Sequence, residues 1–358
     1  MLKIHFCLSI KAKVSGIKKY KLHMKKILPL IFILGFFTNC SKEEVLPTAK
    51  YTHYYPAYEA VIAKENIPDC TVFDPRAIAI SNEKLYVTNV NSLEVFDAIT
   101  LTHIKTIKEY SKGDTKIPFT NLTSVCVNNG RLYVGSTESR LFVFDEITHT
   151  AINTVGNGKY TGTFVHVFGV LVKDGLLFVK EKNNIIKVFD ASEITDTSDW
   201  NLKPIAKLNT LKGYKEVYSL DVFEGNLVVA GRDAKSYLYY NIENIRVNAA
   251  KSLITPIEPE KIDFEDTKPI SVAFNTNWVV TSENDGRSIS YLRLYPKQEF
   301  MNKNYKTIVN TSNIMNYIQL GTIVGTSELN DRIFLSDNTN KKIIIIKINT
   351  STIAEQKN

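Results

Sequence analysis

The feature that most constrains this chain is a unit that recurs about every 50 residues. Ala77-Ile78-Ala79-Ile80 precedes Leu85-Tyr86-Val87 and then Leu93-Glu94-Val95-Phe96-Asp97. Ser124-Val125-Cys126-Val127 precedes Leu132-Tyr133-Val134 and Leu141-Phe142-Val143-Phe144-Asp145, and Gly169-Val170-Leu171-Val172 precedes Leu177-Phe178-Val179 and Ile186-Lys187-Val188-Phe189-Asp190. Looser copies run from Ser219, Ser271 and Thr326, which makes six units. A fixed period of this length marks an architecture built from stacked supersecondary units, each of which needs its neighbours to bury its apolar faces.

Within a unit, short β-branched and aromatic runs are separated by Asn, Gly and Asp, as in Asn128-Asn129-Gly130, Lys173-Asp174-Gly175 and Glu224-Gly225-Asn226. These are hairpin signals. The Asp that follows Val-Phe can bond its own backbone two residues on and turn the chain into a fourth strand. Four strands per unit, repeated radially, predict an all-β propeller with six blades. Seven is the alternative, although no remaining gap has the length of four strands. The first position of each first strand is small (Ala77, Ser124, Gly169, Ser219, Ser271, Thr326), as crowding near a central axis requires. The sixth unit ends before its fourth strand is complete. The strand-like segment Tyr58 to Lys64 is therefore expected to supply the missing outer strand and remove an open edge.

Leu85-Tyr86-Val87-Thr88-Asn89 and the Val-Phe-Asp endings resemble the YVTN and LVIVD groups of bacterial surface propellers. The resemblance covers about residues 76–350. It implies the fold and often a surface location, and no single activity.

Ahead of the repeats, Met24-Lys25-Lys26 is followed by an apolar run from Ile27 to Phe37 and then Thr38-Asn39-Cys40. A cationic start, a short apolar stretch and a small polar end form a secretory leader. The run is shorter than the ~20 residues a spanning helix needs. Residues 1–23 add nothing a leader requires, so translation from Met1 or from Met24 yields the same export signal. Cys40 resembles the acylated cysteine of bacterial lipoproteins, with Phe37 and Asn39 departing from the usual box. The following Ser41-Lys42-Glu43-Glu44 resembles the surface-export signal of Bacteroidota lipoproteins. Lipid on Cys40, at ~0.8 kcal/mol per buried CH2, would hold the protein on an outer membrane without a spanning helix. The expected organisation is leader 1–39, anchor and tether 40–57, and propeller 58–358.

Charge supports this division. The chain carries 44 Lys+Arg against 37 Asp+Glu, but residues 1–39 hold eight lysines and no acid. The body is left with 36 basic and 37 acidic groups, which gives no electrostatic reason to expect nucleic acid as a partner.

No cofactor or metal motif stands out. No two histidines of the body sit at ligand spacing, and phosphate-binding loops and nucleophile elbows are missing. Cys70 and Cys126, in an oxidising setting, are either a disulfide or two thiols in the core. Asp221 and Glu328 occupy the third position of an inner strand, where other units have Ala79, Cys126, Leu171 and Ala273. Each is either a ligand contact in the central channel or a structural hydrogen bond to a neighbouring blade, because an unpaired buried carboxylate is costly. Function on such a scaffold resides in loops. The loops that enter inner strands or join second to third strands offer Arg76, His166, Lys180, Arg232, Glu283 and Asp337 as a binding set. The long connections 108–121, 192–216, 248–268 and 297–321 are further contact candidates. The expected function is a non-enzymatic binding module for a protein or glycan. The alternatives are a polysaccharide-active enzyme and a structural subunit of an envelope complex.

Overall fold

The structure, a computed structural model, describes residues 50–158, 163–183, 185–197, 201–210, 219–230, 236–251, 256–263, 268–274, 278–284, 290–297, 300, 309–310 and 323–354. Residues 52–352 form one compact unit. The leader, Cys40, the Ser41–Glu44 stretch and Arg232 lie outside the described residues.

Six four-stranded antiparallel sheets follow one another along the chain. A strand β1 (Lys50–Ile62) comes first and waits for its partner at the far end. Blade 1 holds β2 (Ile78–Ser81), β3 (Lys84–Thr88), β4 (Leu93–Asp97) and β5 (His103–Ile107). A hairpin, β6 (Glu109–Lys112) and β7 (Thr115–Pro118), leads to blade 2, which is β8 (Leu122–Asn128), β9 (Arg131–Ser136), β10 (Arg140–Asp145) and β11 (Ala151–Val155). Blade 3 is β12 (Val167–Lys173), β13 (Leu176–Glu181), β14 (Ile185–Asp190) and β15 (Ala206–Asn209). In blade 4, β16 (Ser219–Phe223), β17 (Asn226–Ala230) and β18 (Ser236–Asn241) are followed by helix α1 (Ile242–Ala250) and then β19 (Glu260–Asp263). Blade 5 is β20 (Lys268–Phe274), β21 (Trp278–Asn284), β22 (Ser290–Pro296) and β23 (Val309–Asn310). Blade 6 contributes β24 (Ile323–Leu329), β25 (Arg332–Asp337) and β26 (Lys342–Ala354), and β1 is its outer strand.

A blade buries both faces, so its strands read as continuous apolar runs rather than as alternating ones. The buried side chains divide into six clusters, each shared by two successive blades. Tyr86 and Val95 of blade 1 meet Leu132 and Phe142 of blade 2, and Tyr133 and Val143 meet Val170 and Leu177 of blade 3. Phe178 and Val188 meet Leu227 and Leu238, and Val228 and Tyr237 meet Val272 and Tyr295. Val280 and Leu292 meet Ile333 and Ile344. The sixth cluster joins Phe334 and Ile343 of blade 6 to Leu85 and Phe96 of blade 1. The ring is closed. The protein is a six-bladed β-propeller.

Turn chemistry follows the sequence. Between β8 and β9, Asn129 and Gly130 have φ of 48° and 70°, and Asp174-Gly175 and Glu224-Gly225 repeat the pattern at 51° and 78° and at 45° and 75°. Both central residues left-handed is the type I′ hairpin that matches strand twist. Blade 1 makes the same turn with Asn82 and Glu83, at 47° and 58°, without a glycine. At the turn into the outer strand, Asp97 Oδ1 accepts from the backbone N–H of Ile99 at 2.9 Å, Asp145 Oδ1 from Ile147 at 3.0 Å, and Asp190 Oδ1 from Ser192 at 2.8 Å.

The closing strand differs from expectation in extent. β1 begins at Lys50, and Lys64–Asn66 forms a 3-10 turn instead of strand. The tether expected over 40–57 therefore gives up residues 50–57 to the sheet. The cause is its partner: β26 continues to Ala354, and a longer neighbour offers more backbone groups to pair. The connection 108–121 also differs. It is not a free loop, because β6–β7 lays Tyr110 and Phe119 on Phe142 and Phe144, with ring centroids 5.0–6.1 Å apart.

Candidate functional site

Of the expected binding set, three members are internal. Lys180, Glu283 and Asp337 are fully buried. Lys180 Nζ donates to the carbonyl oxygens of Glu181 and, at 2.7 Å, of Asn183, and burial lowers its pKa to about 7. Glu283 pairs with Arg293 at 3.2 Å and accepts from the Tyr295 hydroxyl and from Thr281, both at 3.2 Å. Asp337 accepts from the backbone and side-chain amides of Asn340 at 3.0 and 2.8 Å and so holds the turn between β25 and β26. These polar residues stand at strand ends because they fasten those ends, and they do not form part of a surface. Arg76 and His166 remain half-buried: Arg76 Nη1 donates to the Leu122 carbonyl at 3.2 Å, and the His166 ring bonds the Thr137 carbonyl.

The disulfide alternative is overturned as well. Cys70 and Cys126 are free thiols in different cores. Cys126 Sγ accepts from the backbone N–H of Val172 at 3.2 Å, and Cys70 donates to the Val72 carbonyl at 3.3 Å. Burial, and then the Glu94 carboxylate, raise the Cys70 pKa, so its thiol is held protonated and is a poor nucleophile.

Among the described residues, two cavities offer places for a ligand. The larger, of about 390 Å³, is the central channel, walled by all six inner strands. An inner strand has one edge without a sheet partner, and side chains from the preceding blade cover parts of it. Thr123 Oγ1 donates to the Val167 carbonyl at 2.7 Å, and Ser219 Oγ both donates to and accepts from Val272, at 2.6 and 3.0 Å. Asp221 belongs to the same scheme: Oδ2 accepts from the Phe274 N–H at 2.6 Å and Oδ1 from Val222 at 2.7 Å. Of the two sequence readings for Asp221, the structural bond to a neighbouring blade is the one seen. Burial raises its pKa to about 6 against those hydrogen bonds. Glu328 is different. Its Oε2 is buried with no hydrogen-bond partner among the described residues, and burial, then Asp331, raise its pKa to about 7.

The second cavity, of about 200 Å³, opens on the upper face, where inner strands begin. Residues 67–72 lie over the turn from β3 to β4, so that Cys70, Val72, Asn89, Asn91, Ser92, Glu94 and Lys108 come together. Asn89 fixes the enclosure: its side chain accepts from the backbone of Asp74 and Val90 and donates to the Val72 carbonyl and to Ser92. Glu94, 1% exposed, accepts from Ser92 at 2.5 Å and Thr106 at 2.6 Å and contacts His103 Nε2 at 3.0 Å. Sequence reasoning missed this pocket. The available signal was Asn89 in Leu-Tyr-Val-Thr-Asn, a polar residue closing an apolar strand.

No family model matches the chain, and no curated protein matches it. Among solved structures, the crystal structure of the computationally designed Ika8 protein (crystal packing No.1 in P63) is 10% identical with a TM-score of 0.43. That likeness covers 77% of this chain and 96% of the designed one. At such a score it carries no argument about what either protein does. Among the described residues no three His, Cys, Asp or Glu side chains group to hold a metal, and no helix is long and apolar enough to cross a membrane.

Proposed function

We propose that this chain is a lipid-anchored protein of the outer membrane surface, tethered through Cys40, whose propeller is a non-enzymatic binding module for a protein or glycan. The observation that carries the binding role is the upper-face pocket of about 200 Å³, which residues 67–72 close over the β3–β4 turn and beside which Asn91 and Lys108 are exposed. Asn89 already holds this enclosure in one geometry, so little freedom is lost when a ligand arrives. The pocket has room for one sugar ring or one protruding side chain, and the flanking loops are free to contact more of a polymer. The tethering role is supported by the leader, by Cys40 and the Ser-Lys-Glu-Glu after it, and by the resemblance of the repeats to surface propellers.

An enzyme would need Asp221 and Glu328 to act as a pair, yet they stand on blades 4 and 6 with Ala273 of blade 5 between them, and Asp221 is committed to Phe274. A structural subunit would show one broad apolar face. The exposed large apolar residues described are Tyr58 and Val61 on β1, Val72, Ile99 and Ile104 of blade 1, Ile147 of blade 2 and Val247 of α1, so they are shared among several blades.

Two experiments test the reading. Cys40→Ala should release the protein from membranes or stall leader removal, and normal processing with full membrane retention would refute the anchor. For binding, whole cells or purified propeller are screened on a glycan array and by affinity capture from the envelope. Asn91→Ala with Lys108→Ala should abolish the recovered interaction, while Asn129→Ala, Asp174→Ala and Glu224→Ala on the opposite face should not. The reverse pattern would show that the partner uses the lower face.

A further inference from the structure

The geometry points to a lipid-facing surface: the lower face of the propeller rests on the bilayer, and the upper-face pocket is turned away from it. This rests on the anchor at Cys40 proposed above. Three observations then decide which face is nearer the lipid.

The first is where the chain enters the ring. Glu59 of β1 binds Arg332, whose guanidinium also donates to the Ala98 and Ile99 carbonyls at the β4–β5 turn, on the lower face. Ile62, three residues on, packs with Ile343 and Ile345 toward the upper end of β26. β1 therefore runs upward, and the chain enters the compact unit from below, at Thr52. Residues 41–51 separate Thr52 from Cys40. A random chain of that length has a root-mean-square span of about 20 Å. From Thr52 to Ile62 a strand rises by about 33 Å. With the upper face on the bilayer, Thr52 would stand at least that far from the lipid. With the lower face there, it stands close to the lipid.

The second observation is what the lower face presents. Ile99 and Ile147 occupy the same place in the turns from third to fourth strand of blades 1 and 2, and they are 40% and 73% exposed. Val247 of α1, in the corresponding connection of blade 4, is 41% exposed. Exposed charges of both signs, Lys173, Arg246, Asp174 and Glu224, share this face. The contact is therefore apolar in character and does not call for anionic lipid.

The third is how the two isoleucine tips are built. Asp97 Oδ1 accepts from the N–H groups of Ile99 and Thr100 at 2.9 and 2.6 Å, and the Leu101 N–H donates to the Asp97 carbonyl at 2.9 Å. In blade 2, Asp145 Oδ1 accepts from Ile147 and Thr148 at 3.0 and 2.8 Å, and the His149 N–H donates to the Asp145 carbonyl at 2.9 Å. Backbone groups that leave water must keep hydrogen-bond partners. These tips carry their partners with them, so an isoleucine can seat in the headgroup region without orphaning the N–H groups around it.

Tryptophan variants of the full acylated chain, reconstituted in phosphatidylcholine vesicles with brominated acyl chains, test this. Wild type supplies the baseline from Trp200 and Trp278. Above that baseline, emission from Ile99→Trp and from Ile147→Trp should each fall by about half, as for a side chain at the acyl boundary. Val72→Trp, at the upper-face pocket, should be unaffected. Vesicle flotation of the same samples reads the anchor separately. Protein that floats with the vesicles while both lower-face tryptophans stay bright, or while Val72→Trp is quenched as strongly, would overturn this orientation and leave the anchor standing. Protein that does not float would overturn the anchor and this proposal together.

Discussion

Asp221 of blade 4 holds Phe274 of blade 5 across the blade boundary, its Oδ2 accepting the Phe274 backbone N–H at 2.6 Å. The two residues are joined by packing too, since Phe274 stacks on Phe223 of blade 4 at 4.7 Å with planes 15° apart. A charged-type side chain in the channel wall is therefore part of how the ring stays shut. Asp221→Ala would leave that N–H orphaned in a crowded wall, at a cost of about 1–3 kcal/mol. Asp221→Asn keeps one of the two acceptor oxygens and turns an NH2 group toward the other N–H, so it should lose only part of that. Urea unfolding of both variants checks this, and a wild-type midpoint for Asp221→Ala would show that the bond is idle.

The acids of the channel also set a pH dependence. Asp221 and Glu328 have folded-state pKa values raised, chiefly by burial, to about 6 and about 7 from 3.8 and 4.5. Between the unfolded and folded values the native state binds more protons, so these groups make stability fall as pH rises through that window. Lys180, lowered to about 7 from 10.5, acts in the next window, where the unfolded state binds more protons and stability rises with pH. Melting temperatures of the wild type should dip near neutrality. Glu328→Gln should flatten the acidic limb and leave the alkaline one, and a Glu328→Gln curve parallel to wild type throughout would contradict the raised value.

Closure by β1 gives a third test. Arg332 of β25 binds Glu59 of β1 through two nitrogens and donates to the Ala98 and Ile99 carbonyls of blade 1, at 3.2 and 2.8 Å. One guanidinium thus ties the closing strand, blade 6 and blade 1. Arg332→Ala should cost roughly 1–3 kcal/mol, since hydrogen bonds to a charged group count for more than neutral ones. Removing residues 41–62 should aggregate the protein through the uncovered edge of β26, whereas removing 41–49 should not. Identical melting of the two truncations would refute closure by this strand.

Gly135 tests the tightness of the blade 2–3 boundary. A Cβ there would meet Ser124 Oγ and lie 2.6 Å from Val167 Cγ1. Gly135→Ala should destabilise by about 1–3 kcal/mol through overpacking. The additional variant Val167→Ala should recover part of that loss in a double-mutant cycle, and strict additivity would argue against a shared contact.

Much of this architecture could be read from residues, because a blade's apolar runs and its turn residues are local signals. Leu85-Tyr86-Val87 and its copies marked second strands, and Asp97, Asp145 and Asp190 marked the turns into fourth strands. The site was read less well, for a reason visible in three residues. Lys180, Glu283 and Asp337 have the composition of a solvated rim, but Asn183 and Asn340 are folded back onto Lys180 and Asp337 by the turns three residues on, and Arg293 reaches Glu283 from the paired strand. Sequence shows that a polar group exists and not whether the fold has already used it. Cys70 and Cys126 make the same point, since a plausible pair in the sequence occupies separate cores.

The bond between Arg332 and Glu59 spans 273 positions of chain. The sheet edge that β1 joins belongs to β26, so this thirteen-residue strand has no strand partner until the final blade exists. During that interval it is equally able to complete the last blade of another copy. Two chains exchanging their first strands would give a dimer with every native contact intact, distinguishable only by its size. At high concentration, the architecture that seals each ring becomes a means of linking one ring to the next.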